Sequence, residues 1–84
     1  MYFLILKKKA EKEIQALPKR EQQRITAAFN VLRKNPFEGK QLEGKYKGAW
    51  TFRVWPYRII YTIHQKTVTV VVLRVGHRQG IYKK

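Results

Sequence analysis

Three β-favouring runs stand almost end to end in the second half of the chain, and that spacing leaves few folds open. Trp50–Val54 alternates, Tyr57–His64 is β-branched and aromatic, and residues 67–75 are almost wholly β-branched. Only Trp55-Pro56 and Gln65-Lys66 separate them. Links this short join antiparallel neighbours, so the pattern predicts two successive hairpins. Parity then assigns faces. With a turn at Trp55-Pro56, Val54 lies across from Tyr57, Phe52 from Ile59 and Trp50 from Tyr61. Any even loop length keeps that parity, because side chains alternate along a strand. These residues share one apolar face, the predicted seat for helices. Thr51, Arg53, Arg58, Ile60 and Thr62 share the other. Arg53 falls directly across from Arg58. Like charges so placed destabilise a sheet pair. They are tolerated where an anion sits between them, or where both side chains fan out into solvent. The pattern alone favours neither.

The first half supplies the helices. Residues 2–6 read as an opening strand. Ala10, Ile14 and Leu17 stand at i, i+4 and i+7, one face of a short helix. Leu17-Pro18 ends it, and Pro18 is suited to open the next helix. Ile25, Ala28, Phe29 and Leu32 form the apolar stripe of that second helix, which Asn35-Pro36 stops. So short a link predicts a hairpin of antiparallel helices. Residues 37–48, punctuated by Gly39, Gly44 and Gly48, read as a loop with little regular structure. The order is β-α-α-β-β-β. It predicts one α+β domain over residues 1–84, a helix hairpin packed on a small antiparallel sheet.

Charge restricts the partners. Nineteen Lys and Arg face five Glu in 84 residues, a net charge of +14. That excess opposes folding by self-repulsion and favours polyanions, either nucleic acid or an acidic protein. Cysteine is absent, which removes disulfides and thiolate metal sites and fits a cytoplasmic protein. The opening apolar run is too short to span a bilayer, and Lys7, Lys8 and Lys9 follow it rather than precede it, so no membrane role is expected. With two His and no ligand spacing, no metal site is predicted and no cofactor is implied. Serine is absent too, which removes serine-based catalysis.

The chain closes on VGHRQGIY, residues 75–82. Gly76 permits a bend out of the last strand. A fold back over the sheet edge would bring Arg78 to Arg53 and Arg58, with Tyr82 and the His77 imidazole nearby. Guanidinium suits phosphate, being planar, bidentate and always charged. Such a site needs no metal if the substrate is RNA, which carries its own nucleophile in the 2′-hydroxyl. The protein need only align that oxygen, stabilise the dianionic transition state and move protons.

These residues resemble the RelE family of bacterial toxins, within the RelE/ParE toxin–antitoxin superfamily. The likeness spans the chain. It is most specific at Tyr57-Arg58-Ile59-Ile60-Tyr61 and at Val75-Gly76-His77-Arg78 followed by Tyr82. The resemblance implies a ribosome-dependent, metal-free endoribonuclease that enters the empty A site of the 70S ribosome. There it cuts mRNA by 2′-hydroxyl attack. It also implies a cognate acidic or amphipathic antitoxin, with operator DNA bound only through the antitoxin complex. The catalytic residues implied are Arg53, Arg58, Arg78 and Tyr82, with His77 as an adjunct. Lys40, Lys45, Lys47, Lys83 and Lys84 are expected to make diffuse RNA contacts. Family members carry two lysines, two apart, where this chain has Thr51 and Arg53. Arg53 keeps the charge, whereas Thr51 supplies no amine and leaves the general base open, with His77 or Lys47 as substitutes. Two rivals remain: a ParE-like inhibitor of DNA gyrase, and an inactive ribosome- or RNA-binding relative.

Overall fold

The computed structural model describes residues 1–77 and Gly80. The elements run β1 (Phe3–Leu6), α1 (Lys8–Gln15), α2 (Lys19–Lys34), β2 (Lys40–Gln41), β3 (Trp50–Val54), β4 (Tyr57–His64) and β5 (Thr69–His77). Short 3₁₀ turns at Pro36–Glu38 and Gly44–Tyr46 flank β2. The five strands form one sheet in the order β1-β5-β4-β3-β2. None of the described helices is long and apolar enough to cross a membrane.

The expected α+β class and helix-on-sheet layering are present. The hairpin of β3 and β4 has the register that parity demands, including Trp50 across from Tyr61 and Arg53 across from Arg58. All six apolar residues of that face join the helix-side core. Tyr61 and Ile59 are buried with Ile25, Ala28, Phe29 and Leu32 of α2, and Trp50, Phe52, Val54 and Tyr57 pack around them. Ala10 of α1 is buried in the same cluster, with Ile14 and Leu17 at its margin. The Trp55–Pro56 peptide in the turn between β3 and β4 is cis.

The sheet departs from expectation at both edges, and from the antiparallel pattern at one of them. β1 pairs with β5 in parallel, Phe3 beside Thr69 and Leu6 beside Val72. The hairpins leave the outer ladder of β5 open, and β1 closes its first half while placing Tyr2, Leu4 and Leu6 against the core. At the other edge, part of the segment expected to be loop forms β2, pairing Lys40 with Thr51 and Gln41 with Trp50.

The last strand is shifted two residues along from its expected place. The turn before it covers four residues, 65–68, closed by Val68 N–H donating to the Gln65 carbonyl at 3.1 Å. The strand then runs through Gly76 to His77, so the bend does not fall at the glycine. Within β5 the register slips, with Ile60 beside Arg74 but Tyr61 beside Val72, which leaves Leu73 as the extra residue of a bulge. Leu73 thereby joins Ala49, Ile60, Leu42 and Tyr46 in a small cluster on the face away from the helices. Beyond β1 the free edge of β5 is met by α1. Glu13 accepts from Val75 N–H at 2.9 Å through one oxygen. Its other oxygen accepts from Arg74 Nε at 3.1 Å and Nη2 at 2.7 Å.

Candidate functional site

The open face of the β3–β4 hairpin carries the arginine pair. Arg53 is exposed and Arg58 half-buried, on neighbouring strands directly opposite one another. They line a cleft of about 460 Å³ together with Glu38, Gly39, Lys40, Thr51 and Phe52. Thr51, at the position where the resemblance expects an amine, is only 6% exposed and brings no charge. A guanidinium offers a planar fork of donors, a geometry suited to the oxygens of a tetrahedral anion.

A turn within the segment expected to be loop builds the far wall of this cleft. Asn35 is extended, as the residue before a proline must be, and its side-chain oxygen accepts from Phe37 N–H at 3.1 Å. Pro36 is buried beneath the turn. Tyr61, with 0% exposure, reaches from β4 and donates its hydroxyl to the Pro36 carbonyl at 2.6 Å. Gly39 lies against the same Tyr61 oxygen. A Cβ on Gly39 would stand 2.5 Å from the Thr51 carbonyl oxygen and closer still to the phenol. Only glycine lets the turn sit this close to the sheet. Glu38 and Lys40 project from either side of that contact into the cleft.

Burial raises the Tyr61 phenol to about 12, against the lowering effect of the Gly39 backbone, with Glu38 adding to the rise. Removing the hydroxyl in Tyr61→Phe strands the carbonyl of buried Pro36, and is expected to cost about 1–3 kcal/mol in urea unfolding at pH 7. The pH dependence has a defined sign. The unfolded phenol ionises near 10, so this contribution is complete below pH 10 and is lost as pH rises through about 12. Wild-type urea midpoints should therefore fall more steeply than those of Tyr61→Phe across that window. Parallel slopes would contradict the burial argument.

The remaining candidates divide. His77 pairs with Tyr57, on the helix side of the sheet, and its ring meets the Tyr57 ring edge-on at 6.1 Å. Arg58 pairs with Gly76 one residue earlier and points to the other face. The fold therefore brings Arg53 and Arg58 together but not His77 with them. Lys47 lines a second cleft of about 320 Å³ with Gln41, Leu42, Glu43 and Trp50, away from the arginines. Lys45 is exposed, with its Nζ 5.8 Å from the centre of the Tyr46 ring. Arg78, Tyr82, Lys83 and Lys84 lie outside the described residues. Arg74 also faces this side, but Glu13 neutralises it. Glu38 and Lys40 line the cleft although nothing in their local sequence assigns them a place beside the arginines. The available signal is the Asn-Pro stop followed by glycine, which marks a tight turn without saying where it docks.

Comparison with known proteins places this architecture among toxins. The family model described as "ParE toxin of type II toxin-antitoxin system, parDE" matches residues 4–82. The chain is 35% identical to Toxin RelG of Mycobacterium tuberculosis over 77 residues, covering 89% of this chain and 88% of that protein. The toxin–antitoxin complex RelBE2 of M. tuberculosis contains a similar chain, with TM-score 0.86, 33% identity and coverage of 92% and 91% of the two chains. The intact E. coli RelBE toxin–antitoxin complex contains another, with TM-score 0.78, 25% identity and coverage of 92% and 96%.

Proposed function

The chain belongs to the ParE toxin family of type II toxin–antitoxin systems, in the RelE/ParE superfamily, and on that premise we propose that it is a ribosome-dependent endoribonuclease cutting mRNA in the A site. One observation carries this reading: two guanidiniums directly opposed on the rim of an open cleft. A purely protein-binding module has no need to hold like charges across a hairpin. In the proposed reaction the 2′-oxygen of the mRNA bonds to the adjacent phosphorus as the bond to the 5′-oxygen breaks, leaving a cyclic phosphate. The 2′-hydroxyl gives up its proton and the departing 5′-oxygen takes one. Arg53 and Arg58 hold the nonbridging oxygens as their charge grows in the transition state. Arg78 and Tyr82, outside the described residues, are assigned to the same site by the family resemblance of the segment that carries them. His77 is left out, because it faces Tyr57.

The net charge of +14 suits both proposed partners, the ribosome with its mRNA and an acidic or amphipathic antitoxin. Solved relatives include toxin–antitoxin complexes, which supports a cognate antitoxin here. Operator DNA, in this proposal, is reached only through that complex. The proposed setting is the cytoplasm, where ribosomes are. The matching family carries the ParE name, so the rival to be tested against is a ParE-like inhibitor of DNA gyrase.

The deciding experiment is primer extension on a defined mRNA carried by purified ribosomes with an empty A site. A new 5′ end inside the A-site codon is the expected result. Intact mRNA together with halted supercoiling in a parallel gyrase assay would replace the nuclease with the gyrase reading. Ribosome binding with neither effect would leave a binding protein.

A further inference from the structure

The chemistry above gives Lys40 no task, although it lines the same cleft as both arginines. Its position follows from the ladder. Lys40 lies directly across from Thr51, and Arg53, two residues on from Thr51, lies directly across from Arg58. Alternation puts all four side chains on one face, spread over three adjacent strands. Neighbouring strands are roughly 5 Å apart, and same-face positions along a strand roughly 7 Å. One phosphate can therefore be reached by a cation from each of the three strands. At the corner where β3 offers only the buried, uncharged Thr51, the charge comes from β2 instead.

The way Lys40 is held points in the same direction. β2 has only two residues, too few to fix its own place. Its position is set by the turn before it, which Tyr61 clamps at Pro36 and which the close approach of Gly39 seats against the sheet. A buried phenol and a contact that excludes any Cβ are more than a solubilising lysine requires.

Resting on the nuclease reading, we propose that Lys40 is a catalytic residue: its ammonium donates to a nonbridging oxygen of the scissile phosphate and completes a three-cation cradle with Arg53 and Arg58. The phosphate gains a negative charge on the way to the transition state, so a fixed ammonium there binds the transition state better than the substrate. Lysine suits this corner as a compact point charge with three donors.

The test uses the full chain in single-turnover cleavage on stalled ribosomes. It compares wild type with Lys40→Ala, Lys40→Arg, Lys40→Ala/Thr51→Lys and Arg58→Ala. Lys66→Ala, at the exposed turn before β5, controls for the loss of one surface charge. Lys40→Ala should keep its fold by circular dichroism and lose about 10²-fold in maximal rate. Its half-saturating concentration should change no more than that of Lys66→Ala. Lys40→Arg should retain most of the rate. Thr51→Lys should restore it in the Lys40→Ala background, because position 51 enters the same cleft from the facing strand. A loss in half-saturation alone, or a rate rescued by neither replacement cation, would overturn the assignment. If the wild-type chain cuts no mRNA, the nuclease reading itself fails. If it cuts and depends on Arg58, an undiminished Lys40→Ala removes Lys40 alone.

Discussion

Arg58→Ala is expected to lower the rate of A-site cleavage by about 10²–10³-fold, the usual cost of removing one preorganised donor to a developing oxyanion. Its stability should move the other way. Arg58 is half-buried on the open face of β4 and belongs to neither apolar cluster, so its truncation opens no cavity. It faces Arg53 directly, and relieving that like-charge pair should raise stability by roughly 0.2–1 kcal/mol. Few substitutions separate the two readouts so cleanly. A core residue would lose both, and an idle surface residue neither. Single-turnover cleavage and urea unfolding of the same preparation test it together. A variant that still cuts at the wild-type rate would detach the arginine pair from catalysis. A variant that melts well below wild type would show that the pair is structural after all.

Gly39→Ala should cost more stability than alanine at Gly44, Gly48 or Gly80, where an added Cβ meets nothing closer than 4.0 Å. The new Cβ would press on the Thr51 carbonyl oxygen at 2.5 Å and on the Tyr61 phenol. One of these oxygens is backbone of a paired strand, and the other belongs to a fully buried side chain. Neither can swing aside, so the turn itself must lift. Overpacking of this kind costs about 1–3 kcal/mol. Lifting the turn also breaks the hydrogen bond from Tyr61 to the Pro36 carbonyl that clamps it. We expect a total near 3 kcal/mol, which for a domain this small lowers the melting midpoint by roughly 12–24 °C. Cleavage should fall as well at temperatures where the variant is folded, because Glu38 and Lys40 leave the cleft with the turn. A melting point within a few degrees of wild type would mean that the turn is not clamped as described.

These two variants probe parts of the site that differ in how readable they are from residue order. The arginine pair is legible in the sequence alone. Strand side chains alternate with a period of two, and a two-residue link has even parity. The order of residues from Trp50 to Tyr61 therefore forces Arg53 against Arg58 and the aromatic residues onto the opposite face, whatever they pack against. The same local logic places the stripe of α2, since Ile25, Ala28, Phe29 and Leu32 recur at helical spacing.

The clamp is hidden from such rules. Tyr61 reads as one more core aromatic because its hydroxyl finds its acceptor 25 residues earlier in the chain. The bulge at Leu73 is hidden for a related reason. An unbroken run of β-branched residues fits either register, and the choice falls to neighbours, among them Glu13 of α1 at Val75. Without that choice the face of His77 is open.

Alternation and helical spacing are short-range rules, obeyed by any chain with this order of residues. They settled which side chains share a face, and so the opposition of Arg53 and Arg58. Tertiary packing settled which faces and turns meet. The parallel seat of β1 on β5, the docking of the Pro36–Glu38 turn against Tyr61 and the arrival of Lys40 beside the arginines all depend on ladders and hydrogen bonds between distant segments. No local pattern encodes those pairings, because each is chosen by its fit to a surface that exists only once the rest of the chain has folded.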